Sequence, residues 1–111
     1  SIAGNAIKDK GAEEFIEPFY LSSMQLAYFN LAKNMISDKG GVKLFKGLKC
    51  NKSLSVVDFR HNRLTDKTAR FFKFYAKSNK RLTKLHLEFN FCNLKMIEEI
   101  DELTRANLVH I

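Results

Sequence analysis

Three histidines and two cysteines are the side chains of this sequence best suited to acid–base, nucleophilic or metal chemistry. His61 stands three residues after Asp58, and His86 stands 28 after it. An aspartate beside an imidazole supplies two parts of a catalytic triad, and Asp58, His61 and His86 together would supply zinc ligands. A triad also requires a hydroxyl or thiol within reach of the imidazole, so the question becomes which residues share a face. His110 stands at the end of the chain, apart from the other two. Cys50 and Cys92 lack the CxxC spacing of a metal site and are too few for a disulfide framework. Their usage suits a reducing, cytoplasmic setting.

The elements that carry these residues follow neither simple period. In LSVVDFRHNRLTD, apolar residues fall at Leu54, Val57, Phe59 and Leu64 around Asn62. A strand would alternate every two residues and a helix every three or four. The pattern recurs at a fixed spacing instead. LTKLHLEFNFCN repeats it at Leu82, Leu85, Leu87, Asn90 and Cys92, and LAYFNLAKNMISD at Leu26, Phe29, Leu31, Asn34 and Ile36. IAGNAIKD supplies the later part at Ile2, Asn5 and Ile7, so four asparagines are spaced by 29, 28 and 28 residues. Four residues past three of them stand Asp9, Asp38 and Asp66, read as helix N-caps, with Asn93 as the substitute in the last unit. Ten past each stand Phe15, Leu44, Phe72 and Ile100, and seven past stand Ala12, Gly41, Ala69 and Ile97, mostly small.

The pattern L-x-x-L-x-L-x-x-N-x-L, with a helix in each unit, resembles the leucine-rich repeat; the helix start and long unit resemble its ribonuclease-inhibitor-like type. The resemblance implies an α/β leucine-rich-repeat solenoid, with a parallel concave sheet inside and convex helices outside. Residues around 54–60 should form a short strand paired in parallel with its equivalents, and Asn62 should bond the turn backbone. One unit cannot bury its own apolar face, so stacking must supply the core. The expected organisation is a single segment over residues 1–111 of about four units. LVHI at Leu108–Ile111 reads as the opening of a fifth strand, so both ends are expected to fall within a unit and the segment to belong to a longer array.

This register gives each strand residue a side. The concave face should carry Tyr28, Asn30, Ala32 and Lys33, then Val56, Asp58, Arg60 and His61, then Lys84, His86, Glu88 and Phe89. Across neighbouring strands Asp58 should meet His86, and Arg60 should meet Glu88. Aromatic ends with charges between them suit a protein-binding surface, where aromatics and Arg dominate binding energy. No Ser, Thr or Cys shares this face near His86, and Cys92 falls in the core column of Ile36 and Leu64, so a triad lacks its nucleophile. No ligand spacing singles out a metal site. The chain therefore reads as a non-enzyme without cofactor.

The net charge of +7 is unevenly placed. Residues 34–89 carry +10 and the remainder −3. Lys39, Lys43 and Lys46 fall on one helix, and Lys67, Arg70, Lys73 and Lys77 on the next, with Lys49, Lys52, Lys80 and Arg81 near the helix-to-strand turns. These convex stripes would suit nucleic acid, an acidic cytoskeletal tail or anionic lipid. The opposing reading is compensation between helices, with Glu14 beside Lys43, Glu17 beside Lys46 and Arg70 beside Glu98. Phe71, Phe72, Phe74 and Tyr75 are expected to fill the core, leaving no aromatics to stack bases.

The chain is 45% hydrophobic with ten Phe, which excludes a disordered chain. No apolar run approaches the roughly 20 residues of a membrane span, and SIAGNAIKDKG does not read as a signal peptide. The expected function is a protein–protein interaction scaffold or adaptor, cytoplasmic, with the cytoskeleton as one setting, that binds another protein or a larger assembly through the concave face. The alternative is electrostatic binding through the basic helices. Repeat proteins of this kind include inhibitors, GTPase activators, actin-filament cappers, innate sensors and ciliary scaffolds, and no motif in this chain selects among them.

Overall fold

In the computed structural model, which describes residues 27–110, the 28-residue spacing becomes three successive strand–helix units. They comprise β1 (Tyr28–Asn30), α1 (Asp38–Leu48), β2 (Val56–Asp58), α2 (Asp66–Ser78), β3 (Lys84–His86) and α3 (Leu94–Ala106), followed by a 3-10 turn at Asn107–His110. The strands form one small parallel sheet in the order β1-β2-β3. Tyr28, Val56 and Lys84 are in register, as are Phe29, Val57 and Leu85, and Asn30, Asp58 and His86. The strands are shorter than the expected 54–60 because the chain turns inward soon after each.

Each unit buries its column residues against the next. Phe29, Val57 and Leu85 point from the sheet into the core, with Leu31, Phe59 and Leu87 behind them. The helices meet them with residues three and four apart: Gly41, Leu44, Phe45 and Leu48 on α1, and Ala69, Phe72, Tyr75 and Ala76 on α2. Phe59 stacks on Phe72 at 5.0 Å between ring centroids. The small column has a direct cause where α1 meets α2. A Cβ on Gly41 would lie 2.7 Å from Leu64 Cδ2 and 2.8 Å from Thr68 Cγ2.

The asparagine ladder forms between units. Asn62 Oδ1 accepts from the backbone N–H of Asn34 and Ile36, while its Nδ2 donates to the carbonyls of Leu31 and Phe59. Asn90 repeats this one unit on, with Oδ1 accepting from Leu64 N–H and Nδ2 donating to Phe59 and Leu87. Buried turn amides thereby obtain partners that the short strands cannot supply.

Several expectations need correction. Asp38 and Asp66 are the first residues of their helices, and the N-cap positions belong to Ser37 and Thr65. Their carboxylates reach sideways into the next unit. Asp38 accepts from Thr65 N–H and from the hydroxyls of Thr65 and Thr68, and Asp66 accepts from Asn93 N–H and Nδ2. Asn93 does cap α3, accepting from Met96 N–H. The expected fifth strand is instead a 3-10 turn at Asn107–His110, because Asn107 stays in the right-handed helical region where Asn79, one unit earlier, is extended. The expectations at Ile2, Asn5, Ile7, Asp9, Ala12, Glu14, Phe15, Glu17, Leu26 and Ile111 lie outside the described residues.

Candidate functional site

The helices cover one face of the sheet and leave the other to Tyr28, Asn30, Val56, Asp58, Lys84 and His86. This alternation follows from the period-two pleat of the strands. Directly after each strand the chain places Lys33, His61 and Phe89 in the left-handed region, with φ of 60°, 60° and 64°. Such a backbone costs a non-glycine residue about 1–2 kcal/mol. Here the turn is held by the asparagine that follows, Asn34, Asn62 or Asn90, and by bonds to the next unit: Lys33 N–H to Arg60 O and His61 N–H to Glu88 O. His61 and Phe89 consequently stand side by side, their rings stacked at 4.4 Å and within 6° of parallel. Phe89 remains 68% exposed and Tyr28 49%.

The charges on this face pair along the chain rather than across it. Asp58 and His86 are register partners, as expected, but the Asp58 carboxylate is taken by Arg60 through Nη2 at 2.7 Å and Nε at 3.1 Å. The backbone N–H of Arg60 donates to the same carboxylate at 3.0 Å. Glu88, expected beside Arg60, has Oε2 3.5 Å from His86 Nδ1, and that oxygen is buried with no hydrogen bond. The reason is the turn after each strand, which folds residue i+2 back over residue i. Asn30 makes the equivalent bond, accepting from Ala32 N–H. Burial raises the Asp58 carboxyl, but the Arg60 bonds, with smaller help from His86, hold it below its usual value.

Three further expected members of the face are displaced. Ala32 is buried, in the turn that follows β1. Asp58 is fully buried beneath the fork of Arg60 and presents no free carboxylate to a partner. Lys84 is drawn to the helix layer by an ion pair of 3.0 Å with Asp101 on α3. The face offers Tyr28, Lys33, Arg60, His61, His86, Glu88 and Phe89, with Asn30 half-buried at its edge. Among the described residues no three His, Cys, Asp or Glu side chains are grouped to hold a metal ion. Cys92 is half-buried rather than enclosed, 3.6 Å from Leu64 O, and burial with the nearby Asp66 and Asp38 pushes its thiol up to about 11.

The helix layer also departs from expectation. Phe72 and Tyr75 are buried, whereas Phe71 and Phe74 are 40% and 63% exposed. They lie on the outward side of α2 because Ala69, Phe72 and Ala76 already fill its inward side. Among the described residues, the ion pair between α2 and α3 joins Lys73 to Glu99 at 2.7 Å, not Arg70 to Glu98. Lys49, Lys52, Lys80 and Arg81 do gather, lining a depression of about 340 Å³ at the helix-to-strand turns.

A second asparagine column was missed by the sequence reading. Asn51 and Asn79 accept from the backbone of the residues that lead into β2 and β3, and Asn107 donates to the carbonyls of Asn79 and Leu82. Their spacing of 28 residues was the available signal.

A family profile described as "Leucine Rich repeat" matches residues 50–71. No curated protein matches the sequence. Among solved structures, the fold is similar to that of "Leiomodin-1 Actin-Binding Site 2 (ABS2)", with a TM-score of 0.73 and 22% identity, over 93% of this chain and 61% of that one. It is also similar to the Caenorhabditis elegans tropomodulin C-terminal domain, with a TM-score of 0.53 and 15% identity, over 94% of this chain and 83% of that one. The chain thus spans less than two thirds of the leiomodin domain it resembles. The profile falls on the turn after α1, on β2 and on the first half of α2, the unit whose strand pairs in register on both sides. That profile over residues 50–71 and that shared fold support a protein of the leucine-rich-repeat type.

Proposed function

We propose that this chain is a protein-binding scaffold or adaptor that takes a cytoskeletal partner on the helix-free face of its sheet. The observation that carries this reading is the row of exposed Tyr28, Arg60, and stacked His61 and Phe89 on that face. The stack and the Asp58–Arg60 fork hold His61, Phe89 and Arg60 in place before any partner arrives, so less conformational entropy is lost on binding. The similar leiomodin structure is named as an actin-binding site, which favours an actin-like cytoskeletal partner in the cytoplasm. In this reading the units belong to a curved solenoid, the sheet on its concave side, within a longer array. Its role is binding, without catalysis or cofactor.

Co-sedimentation with actin filaments tests it. The wild-type chain should pellet with filaments, Tyr28→Ala with Phe89→Ala should remain in the supernatant, and Lys43→Glu with Lys73→Glu should still pellet. Loss of pelleting only in the lysine variant, with a steep dependence on salt, would transfer binding to the helices.

A further inference from the structure

The outward sides of α1 and α2 form a groove with a volume of about 620 Å³, lined by Phe45, Lys49, Lys67, Arg70, Phe71 and Phe74. On α2, Lys67, Arg70, Phe71 and Phe74 follow the i, i+3, i+4, i+7 spacing that brings them to one side of a helix. Phe45 lies beneath, its ring 5.2 Å from that of Phe71 and tilted by 40°. Lys49 Nζ sits 5.7 Å above the Phe45 ring. The floor is therefore aromatic and the rim cationic. Among the described residues no acidic side chain lines the groove, and Lys67 and Arg70 have no ion pair.

We propose that this groove docks an acidic amphipathic helix of a partner protein, with its apolar side chains over Phe71 and Phe74 and its carboxylates against Lys67 and Arg70. Two large aromatics exposed together give a helix something to bury, which a solvated basic stripe does not. The three cations fix the sign of the occupant. Single-stranded nucleic acid shares the negative charge but needs open ring faces on which successive bases stack. Here Phe45 and Phe71 are tilted against each other, forming a floor instead of such a platform. This surface is separate from the sheet face and stands or falls independently of the proposed function.

The test uses the full chain and two labelled probes, read by fluorescence anisotropy. One is a synthetic helix of alternating Glu pairs with Leu at i, i+4 and i+7; the other is a 20-nucleotide oligothymidine. The wild-type chain should bind the helix, and a helix with each Leu replaced by Ser should bind at least tenfold more weakly. Phe71→Ser with Phe74→Ser should weaken binding at least tenfold. Both side chains are exposed, and circular dichroism would verify that the fold is retained. Lys67→Glu with Arg70→Glu should weaken it similarly, whereas Tyr28→Ala with Phe89→Ala should leave it unchanged. No binding of the helix, binding indifferent to the two phenylalanines, or tighter binding of the oligothymidine would each overturn the proposal.

Discussion

Asn62 offers the sharpest test of how the units are joined. Truncation by Asn62→Ala removes four hydrogen bonds of 2.9–3.1 Å, two accepted by Oδ1 and two donated by Nδ2. The four losses are unequal. Leu31 O keeps a bond from Asn34 Nδ2, and Phe59 O keeps one from Asn90 Nδ2. The cost therefore falls on the buried N–H groups of Asn34 and Ile36, at about 1–3 kcal/mol each. Partial access of water at the edge of the turn lowers the sum, and a loss of about 3 kcal/mol is expected. That is a large fraction of the about 5–15 kcal/mol that stabilises a typical domain. With a urea slope of about 2 kcal/mol/M, the unfolding midpoint should fall by about 1.5 M. Native-state hydrogen exchange localises the effect: the Asn34 and Ile36 amides should exchange faster, while the Leu31 amide, held by Asp58 O at 2.8 Å, should change least. Asn30→Ala, which removes one bond at the half-exposed end of β1, should cost less than about 1 kcal/mol. A loss below about 1 kcal/mol for Asn62→Ala, or uniform acceleration at all three amides, would refute the assignment of the cost to these two N–H groups.

Asp58 and Asp38 are both held below the usual carboxylate value in the folded chain, despite burial that acts the other way. Their stabilisation is present above the unfolded value of about 4 and is lost as pH falls below it and through the lower folded one. Urea midpoints across that range should fall steeply for the wild-type chain and less steeply for Asp58→Asn. Gly41→Ala gains about 1 kcal/mol of helix propensity, but its methyl meets Leu64 and Thr68 inside contact distance, so thermal denaturation should show a net loss of about 1 kcal/mol or more. Iodoacetamide at pH 8, followed by peptide mass spectrometry, should modify exposed Cys50 first and Cys92 at least about tenfold more slowly, because its thiol is pushed up to about 11.

The parallel sheet and the asparagine ladder could be read from spacing because a repeat constrains the same columns again and again. Phe29, Val57 and Leu85 must each face the core if any one does. The role of Asp38 was harder to read. An aspartate before a helical run signals a cap, and nothing local says that the threonines of the following unit compete for its carboxylate. The same limit applied to Arg60, whose column neighbour was Glu88 but whose nearest carboxylate proved to be Asp58. Pairing by column describes backbone register, whereas long side chains choose partners by the turn that follows the strand.

The apolar and asparagine columns of the sequence by themselves determine the architecture, because burying a strand–helix unit requires an equivalent neighbour and leaves one arrangement of the repeats. Only the tertiary structure decided which surface residues are left for a partner. Asp58 and Phe74 show why: the first disappears beneath Arg60, and the second is turned outward because smaller neighbours already fill the inner side of α2. Periodicity is a property of single columns, but exposure depends on the volume and charge of whatever packs beside each residue.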